Sequence, residues 1–205
     1  ATQTVTVTDT TPPSITAPTA ASAEQASADG TAVELAGPTV SDVCDADVEV
    51  GNDAPGVFPL GDTVVAWTAT DDSGNAATAE QTVTVVDTTP PELTLTVPAP
   101  TIPATSAKAL VLAARVTDVR DICDADPDVV ITVTSNEPIK GRGGKSPDWM
   151  VVRNGSVWEI WVRAESSGPS TDRIYTITAT ATDSSGRSTR ATGVVTVPDP
   201  RGKKK

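Results

Sequence analysis

The residues best equipped for chemistry occur twice. Ser41-Asp42-Val43-Cys44-Asp45-Ala46-Asp47 is echoed by Asp121-Ile122-Cys123-Asp124-Ala125-Asp126, and the two stretches hold both cysteines of the 205-residue chain. Carboxylates around a thiol could serve a metal, a redox couple or a plain turn. Calcium takes six to eight oxygen ligands, which aspartates from several loops can supply, whereas zinc would need more soft ligands than one thiol per loop. The stretch is not an EF-hand, because it lacks that loop's glycine and terminal glutamate. The simpler reading is that aspartate favours turns by accepting hydrogen bonds from nearby backbone amides. An acidic surround raises a thiol's pKa, which opposes a reactive nucleophile. A small buried apolar thiol is the commoner state of such a cysteine, and bonding between molecules is the alternative in an extracellular chain.

The chain carries 27 acidic and 15 basic residues, a net charge of -12, and no histidine. That balance argues against nucleic-acid binding, which draws on clustered Lys and Arg. The lack of histidine removes the usual general base, the Ser-His-Asp arrangement and most zinc designs, so an enzyme is not expected. No run approaches the roughly 18 apolar residues needed to span a bilayer, and no signal-peptide pattern opens the chain. The reading is of a soluble chain, processed or cut from something longer.

The elements that would position the loops follow from an internal repeat. Ala79-Glu80-Gln81-Thr82-Val83-Thr84-Val85-Val86-Asp87-Thr88-Thr89-Pro90-Pro91 repeats Ala1-Thr2-Gln3-Thr4-Val5-Thr6-Val7-Thr8-Asp9-Thr10-Thr11-Pro12-Pro13. Residues 1–9 are therefore read as the last strand of a preceding repeat, and two modules follow, at 10–87 and 88–198, ahead of a basic tail at 199–205. Paired prolines in the connections hold the chain extended and remove backbone donors. Short alternating runs of β-branched residues, separated by turn signals every 8 to 12 positions, predict an all-β chain of two tandem sandwiches. Strands are expected at 14–17, 31–36, 47–51, 56–58, 63–70 and 76–86, with Val65, Trp67 and Ala69 on one core face. The second module adds length at 136–168, with a polar loop from Lys140 to Lys145 and a hairpin turning at Asn154-Gly155. Asn154-Gly155-Ser156 is also a glycosylation sequon, but the turn explains it. Tyr175, Ile177, Ala179 and Ala181 form its inward stripe.

Asp9-Thr10-Thr11-Pro12-Pro13, Phe58-Pro59-Leu60-Gly61-Asp62-Thr63-Val64-Val65-Ala66-Trp67-Thr68-Ala69-Thr70-Asp71 and Ser73-Gly74-Asn75 resemble the hyalin-repeat module. The resemblance covers the whole first module and implies an immunoglobulin-like extracellular domain of animal and bacterial surface proteins. Residues 158–168 and 173–178, with Val195-Thr196-Val197-Pro198, are similar to an Ig-like domain at the C-termini of bacterial surface proteins. Hyalin repeats often pair a cysteine at the position of Cys44 with one near Ala79. Alanine stands there, so the resemblance's usual disulfide is lost.

In an Ig-like sandwich the N-terminus, the loop between the second and third strands, and the loop before the last strand share one pole. Asp9, Asp42, Asp45, Asp47 and Asp71 are then expected to converge in the first module, as candidate calcium ligands, and Asp87, Asp118, Asp121, Asp124, Asp126 and Asp183 in the second. A bond between Cys44 and Cys123 is disfavoured, since a module's length separates them. Trp158, Ile160, Val162 and Ala164 face the core, whereas Trp161, with Glu159 and Arg163, faces outward as a candidate partner contact or lies under the loop at 136–147. The function expected is a non-catalytic stalk, spacer or adhesive module at the extracellular, C-terminal end of a bacterial protein. Its partners would be other domains of the same protein, neighbouring subunits, or a surface glycan or protein. The alternatives are a self-assembling filament or sheath subunit, and a carbohydrate- or partner-binding module of a secreted enzyme.

Overall fold

The computed structural model describes residues 1–105, 110–137, 148–165 and 171–200. The loop from Lys140 to Lys145 and the tail Lys203 to Lys205 lie outside the described residues. All regular elements among the described residues are β-strands, in two compact units, Ala1–Thr88 and Thr89–Lys205. Residues 1–13 form no strand, and Val5 and Val7 are exposed.

Unit 1 contains β1 (Ser14–Thr16), β2 (Ala21–Glu24), β3 (Thr39–Ser41), β4 (Glu49–Asn52), β5 (Gly61–Thr70) and β6 (Ala76–Val86). One sheet has the order β2-β6-β5-β4, and β1 pairs with β3 in the other. The long β5–β6 hairpin forms because both strands alternate apolar and polar residues. Its inward Val65, Trp67, Val83 and Val85 are buried with Phe58, and Ile15, Val33 and Leu35 close over them. The buried Trp67 indole N–H donates to Gln81 Oε1 at 3.1 Å, and Gln81 Nε2 donates to the Thr19 carbonyl at 2.9 Å. The strands expected at 31–36 and 56–58 shrink to one bridge between Thr31 and Phe58. The chain regains a partner only at β3, beyond Gly37-Pro38, where proline has no N–H to continue a ladder. Gly30, with φ +116°, permits the close turn at this bridge: a Cβ there would lie 2.3 Å from the Phe58 carbonyl oxygen. β2 has no β-branched residue and was not expected; its pairing with the edge of β6 imposes the strand.

Unit 2 contains β7 (Glu92–Thr96), β8 (Leu110–Arg120), β9 (Asp128–Ser135), β10 (Trp149–Asn154), β11 (Val157–Arg163), β12 (Arg173–Thr182) and β13 (Ser188–Val197). Its sheets have the orders β7-β8-β11-β10 and β9-β12-β13. Lettered A to G along the chain, these are A-B-E-D and C-F-G, the constant-type immunoglobulin arrangement. The length added at 136–168 thus supplies two strands of the four-stranded sheet. Tyr175, Ile177, Ala179, Ile160 and Val162 are fully buried between the sheets, as their alternation predicts. The β10–β11 hairpin turns one residue later than expected. Asn154 pairs with Val157, which leaves Gly155 and Ser156 central, and only Gly155 has a positive φ, +63°.

Candidate functional site: the acidic poles

In unit 1 three segments meet, as the sandwich argument requires. Asp42 Oδ1 accepts the backbone N–H groups of Cys44 and Asp45 at 2.8 and 3.0 Å, and Asp45 Oδ1 accepts that of Asp47 at 2.8 Å. Asp45 Oδ2 accepts the Asp72 N–H at 2.9 Å, tying this loop to the β5–β6 turn. In that turn Asp71 Oδ1 accepts the Asn75 N–H, and Asp71 Oδ2 accepts Asn75 Nδ2, both at 2.8 Å. Asn75 Nδ2 also reaches the Asp9 carbonyl at 3.4 Å, while Asp9 Oδ1 accepts the Thr11 N–H at 3.0 Å. Carboxylate oxygens of Asp9 and Asp42 and Sγ of Cys44 lie within 4.8 Å of one another.

Unit 2 repeats the construction. Asp121 Oδ1 accepts the Cys123 and Asp124 N–H groups at 2.8 and 2.9 Å, and Asp124 Oδ1 accepts that of Asp126 at 3.0 Å. Asp124 Oδ2 accepts the Ser184 N–H at 2.9 Å, and Asp183 Oδ1 accepts the Arg187 N–H at 2.8 Å. The two echoed stretches are therefore one loop design, in which aspartates replace missing backbone partners.

The other candidates are placed differently. Asp47 is exposed. Asp126 is exposed as well and pairs with Arg153 at 3.3 Å, whose guanidinium also stacks 4.8 Å from the Trp158 ring centroid. Asp118 is exposed within β8 at φ +54°, beside a register shift, and its Oδ2 accepts the Thr117 hydroxyl. Asp87 is buried at the end of β6.

Cys44 is exposed at this solvent-facing turn, not packed beneath the loop as expected. The nearby Asp9 charge holds its thiol above the usual range, helped by partial desolvation and by Asp42 and Asp71. Cys123 is half-buried. Burial pushes the Asp71 carboxyl up, but the Asn75 side-chain bond and the turn's backbone donors outweigh it and leave the group below its ordinary value.

For calcium the donor set is narrower than eleven aspartates. Many of their oxygens already accept N–H groups. Asp9 Oδ2, Asp121 Oδ2 and Asp183 Oδ2, in contrast, are shut off from solvent with no hydrogen-bond partner. Hard oxygen donors of this kind suit calcium, whereas the Cys44 thiol does not.

Two features escaped the sequence reading. Arg163, expected to face outward, is buried: its Nε donates to Asp148 Oδ1 at 3.0 Å, and Arg173 Nη2 donates to Asp148 Oδ2 at 2.7 Å. The Tyr175 hydroxyl donates toward the Arg163 carbonyl at 3.0 Å, and burial holds that hydroxyl well above its ordinary pKa. A buried carboxylate needs such partners, yet no local pattern announces which distant residues supply them. Trp161 does stand outside the core, in a cross-strand row with Met150 and Leu112.

Comparison with known proteins places a family match in the first unit. Residues 8–85 match the family model described as HYR domain. Hyalin of Lytechinus variegatus is 42% identical over 94 residues, and the match takes in 42% of this chain and 18% of hyalin. Among solved structures, the titin domains z1z2 in complex with telethonin align over 94% of this chain and 98% of theirs, at 17% identity and a TM-score of 0.48. The protocadherin gamma B7 extracellular cadherin domains 1-4 align over 91% and 49%, at 14% and 0.42. The segment 8–85 is thus a hyalin-repeat module of immunoglobulin-like fold.

Proposed function

We propose that the chain is a non-catalytic, load-bearing part of an extracellular or cell-surface protein: a stalk or spacer, with adhesive use of its outer faces, in a larger bacterial protein. The observation that carries this is the pairing of each unit's early and last strands. In unit 1, β2 runs parallel to β6 from Ala21↔Val83 to Glu24↔Val86, and Gln25 N–H adds a bond to the Val86 carbonyl at 2.8 Å. In unit 2, Thr101 bridges Thr196 in parallel, with bonds of 2.9 Å from Ile102 N–H to Thr196 O and 2.8 Å from Thr196 N–H to Pro100 O. A pull along the chain slides parallel strands past each other, so these bonds must break together rather than one by one. The hyalin-repeat match and the identity to hyalin support the extracellular setting. Calcium at the acidic poles is the cofactor this reading takes.

One second reading has its own observation. Met150, Trp161 and Leu112 form a cross-strand row in which Met150 is exposed and the other two are half-buried, and a glycan or protein partner could cover it. Sedimentation velocity with and without reductant, together with a glycan array, separates the readings. A spacer stays monomeric in both conditions and binds no glycan. Concentration-dependent assembly would favour a filament subunit, and glycan binding lost in Trp161→Ala would favour the accessory module.

A further inference from the structure

In unit 2, β10 pairs with β11 on one side, and among the described residues no strand lies on its other side. The Arg163 N–H donates to the Asp148 carbonyl at 2.8 Å, so the bonded pairs of this ladder fall on the even positions of β10 and the odd positions form the unbonded pairs. Trp149, Val151 and Arg153 therefore turn their N–H and carbonyl groups to the open edge. The side chains are open as well: Met150, Val151 and Val152 are 43%, 38% and 37% exposed in succession. A strand of a two-layer sandwich normally hides one face. The facing sheet has three strands against four, and Val151 stays uncovered although it stands opposite the fully buried Ile160. No lysine, proline or bulge in the strand guards this edge.

We propose that β10 pairs antiparallel with β10 of a second copy of this chain, about a two-fold axis at Val151, joining the two four-stranded sheets into one. The strand itself selects that centre. Setting Val151 against its counterpart sets Trp149 against Arg153 of the second copy, so every free position meets a free position and about six backbone bonds form. The strand's one charge then meets a tryptophan rather than its like, and Met150 lies beside Val152 of the second copy as an apolar pair. A centre at Met150 or Val152 engages only two of the three free positions within the strand, and a centre at Arg153 sets two guanidiniums against each other. A contact this small is weak and reversible, so it works where chains are crowded together on a surface. In dilute solution it comes apart, as the sedimentation outcome for a spacer requires. An isologous pair also closes at two copies, whereas a filament keeps growing.

The test is amide hydrogen exchange read by NMR on the whole chain at about 20 μM and about 1 mM, a range that spans weak association. The Trp149, Val151 and Arg153 amides are expected to slow at least about twofold at the higher concentration, while those of Met150 and Val152, already bonded to β11, keep their rates. Val151→Lys puts a charge on the edge and touches no core residue, so it should abolish the change without lowering the melting temperature. Cross-linking gives a second measurement, because bonded partners with Cα atoms about 5.5 Å apart can form a disulfide. With Cys44→Ser and Cys123→Ser in the background, Val151→Cys should cross-link two copies at least about tenfold faster than Val130→Cys, at an exposed valine of β9. Odd-position amides unmoved at about 1 mM would overturn the proposal, as would a change that survives Val151→Lys or equal cross-linking rates. Failure here would remove the self-contact and leave the load-bearing reading, which rests on other strands, unchanged.

Discussion

Asp148→Asn should be the most damaging conservative change in unit 2. The substitution keeps the shape of a fully buried side chain and removes its charge. Asp148 is shared by Arg163 and Arg173, whose side chains are 4% and 2% exposed, through bonds of 3.0 and 2.7 Å. Both guanidiniums are almost wholly buried, and neither can lose its proton. Breaking a buried pair by removing one partner costs about 3 to 5 kcal/mol. A whole domain is stable by only about 5 to 15 kcal/mol, so unit 2 loses from about a fifth to all of its stability. The control is the pair of Arg153 and Asp126, equally ionic but 55% and 81% exposed. Asp126→Asn should cost less than about 1 kcal/mol. Urea denaturation followed by tryptophan fluorescence reads both: Trp149, Trp158 and Trp161 report unit 2, and Trp67 reports unit 1 as an internal reference. A cost for Asp148→Asn below about 1 kcal/mol, or one equal to that of Asp126→Asn, would refute the argument from burial.

Three further outcomes follow from unit 1. Gln81→Leu strands the Trp67 indole N–H and the Thr19 carbonyl, and should destabilise unit 1 by about 1 to 3 kcal/mol in the same urea assay. Asp71 is held below the ordinary carboxyl value, so the folded state binds fewer protons there and the gain is present above that value. Acid unfolding of unit 1 should thus steepen as pH falls below about 4, and Asp71→Asn should flatten that limb; an unchanged limb would contradict the assignment. Cys44 should alkylate slowly near pH 8, and Asp9→Asn, which removes the charge chiefly responsible for its raised pKa, should speed the reaction. Equal rates would show that Asp9 does not control the thiol.

The alternation of Val65-Trp67-Ala69 and Tyr175-Ile177-Ala179-Ala181 displayed the core strands because each faces one apolar layer with period two. The Asp-Cys-Asp loops were legible as a repeated element, and the sandwich argument brought Asp9, Asp45 and Asp71 to one pole. What lay hidden depended on partners distant in the chain. β2 has no propensity of its own and is a strand only because β6 offers an edge. Arg163 fits an outward alternation by spacing, yet Asp148 and the start of β12 draw it inside. The unmatched oxygens of Asp121 and Asp183 depend on which atoms the loops have already used, and composition cannot reveal that.

The central claim, that the chain bears load through parallel strand pairs, is tested most directly by pulling single molecules from their two ends. Each sandwich is expected to resist and then give way in its own abrupt step, because the β2–β6 bonds in unit 1 and those joining 100–102 to Thr196 in unit 2 break together. Gradual lengthening of either unit at low force, with no discrete step, would contradict it.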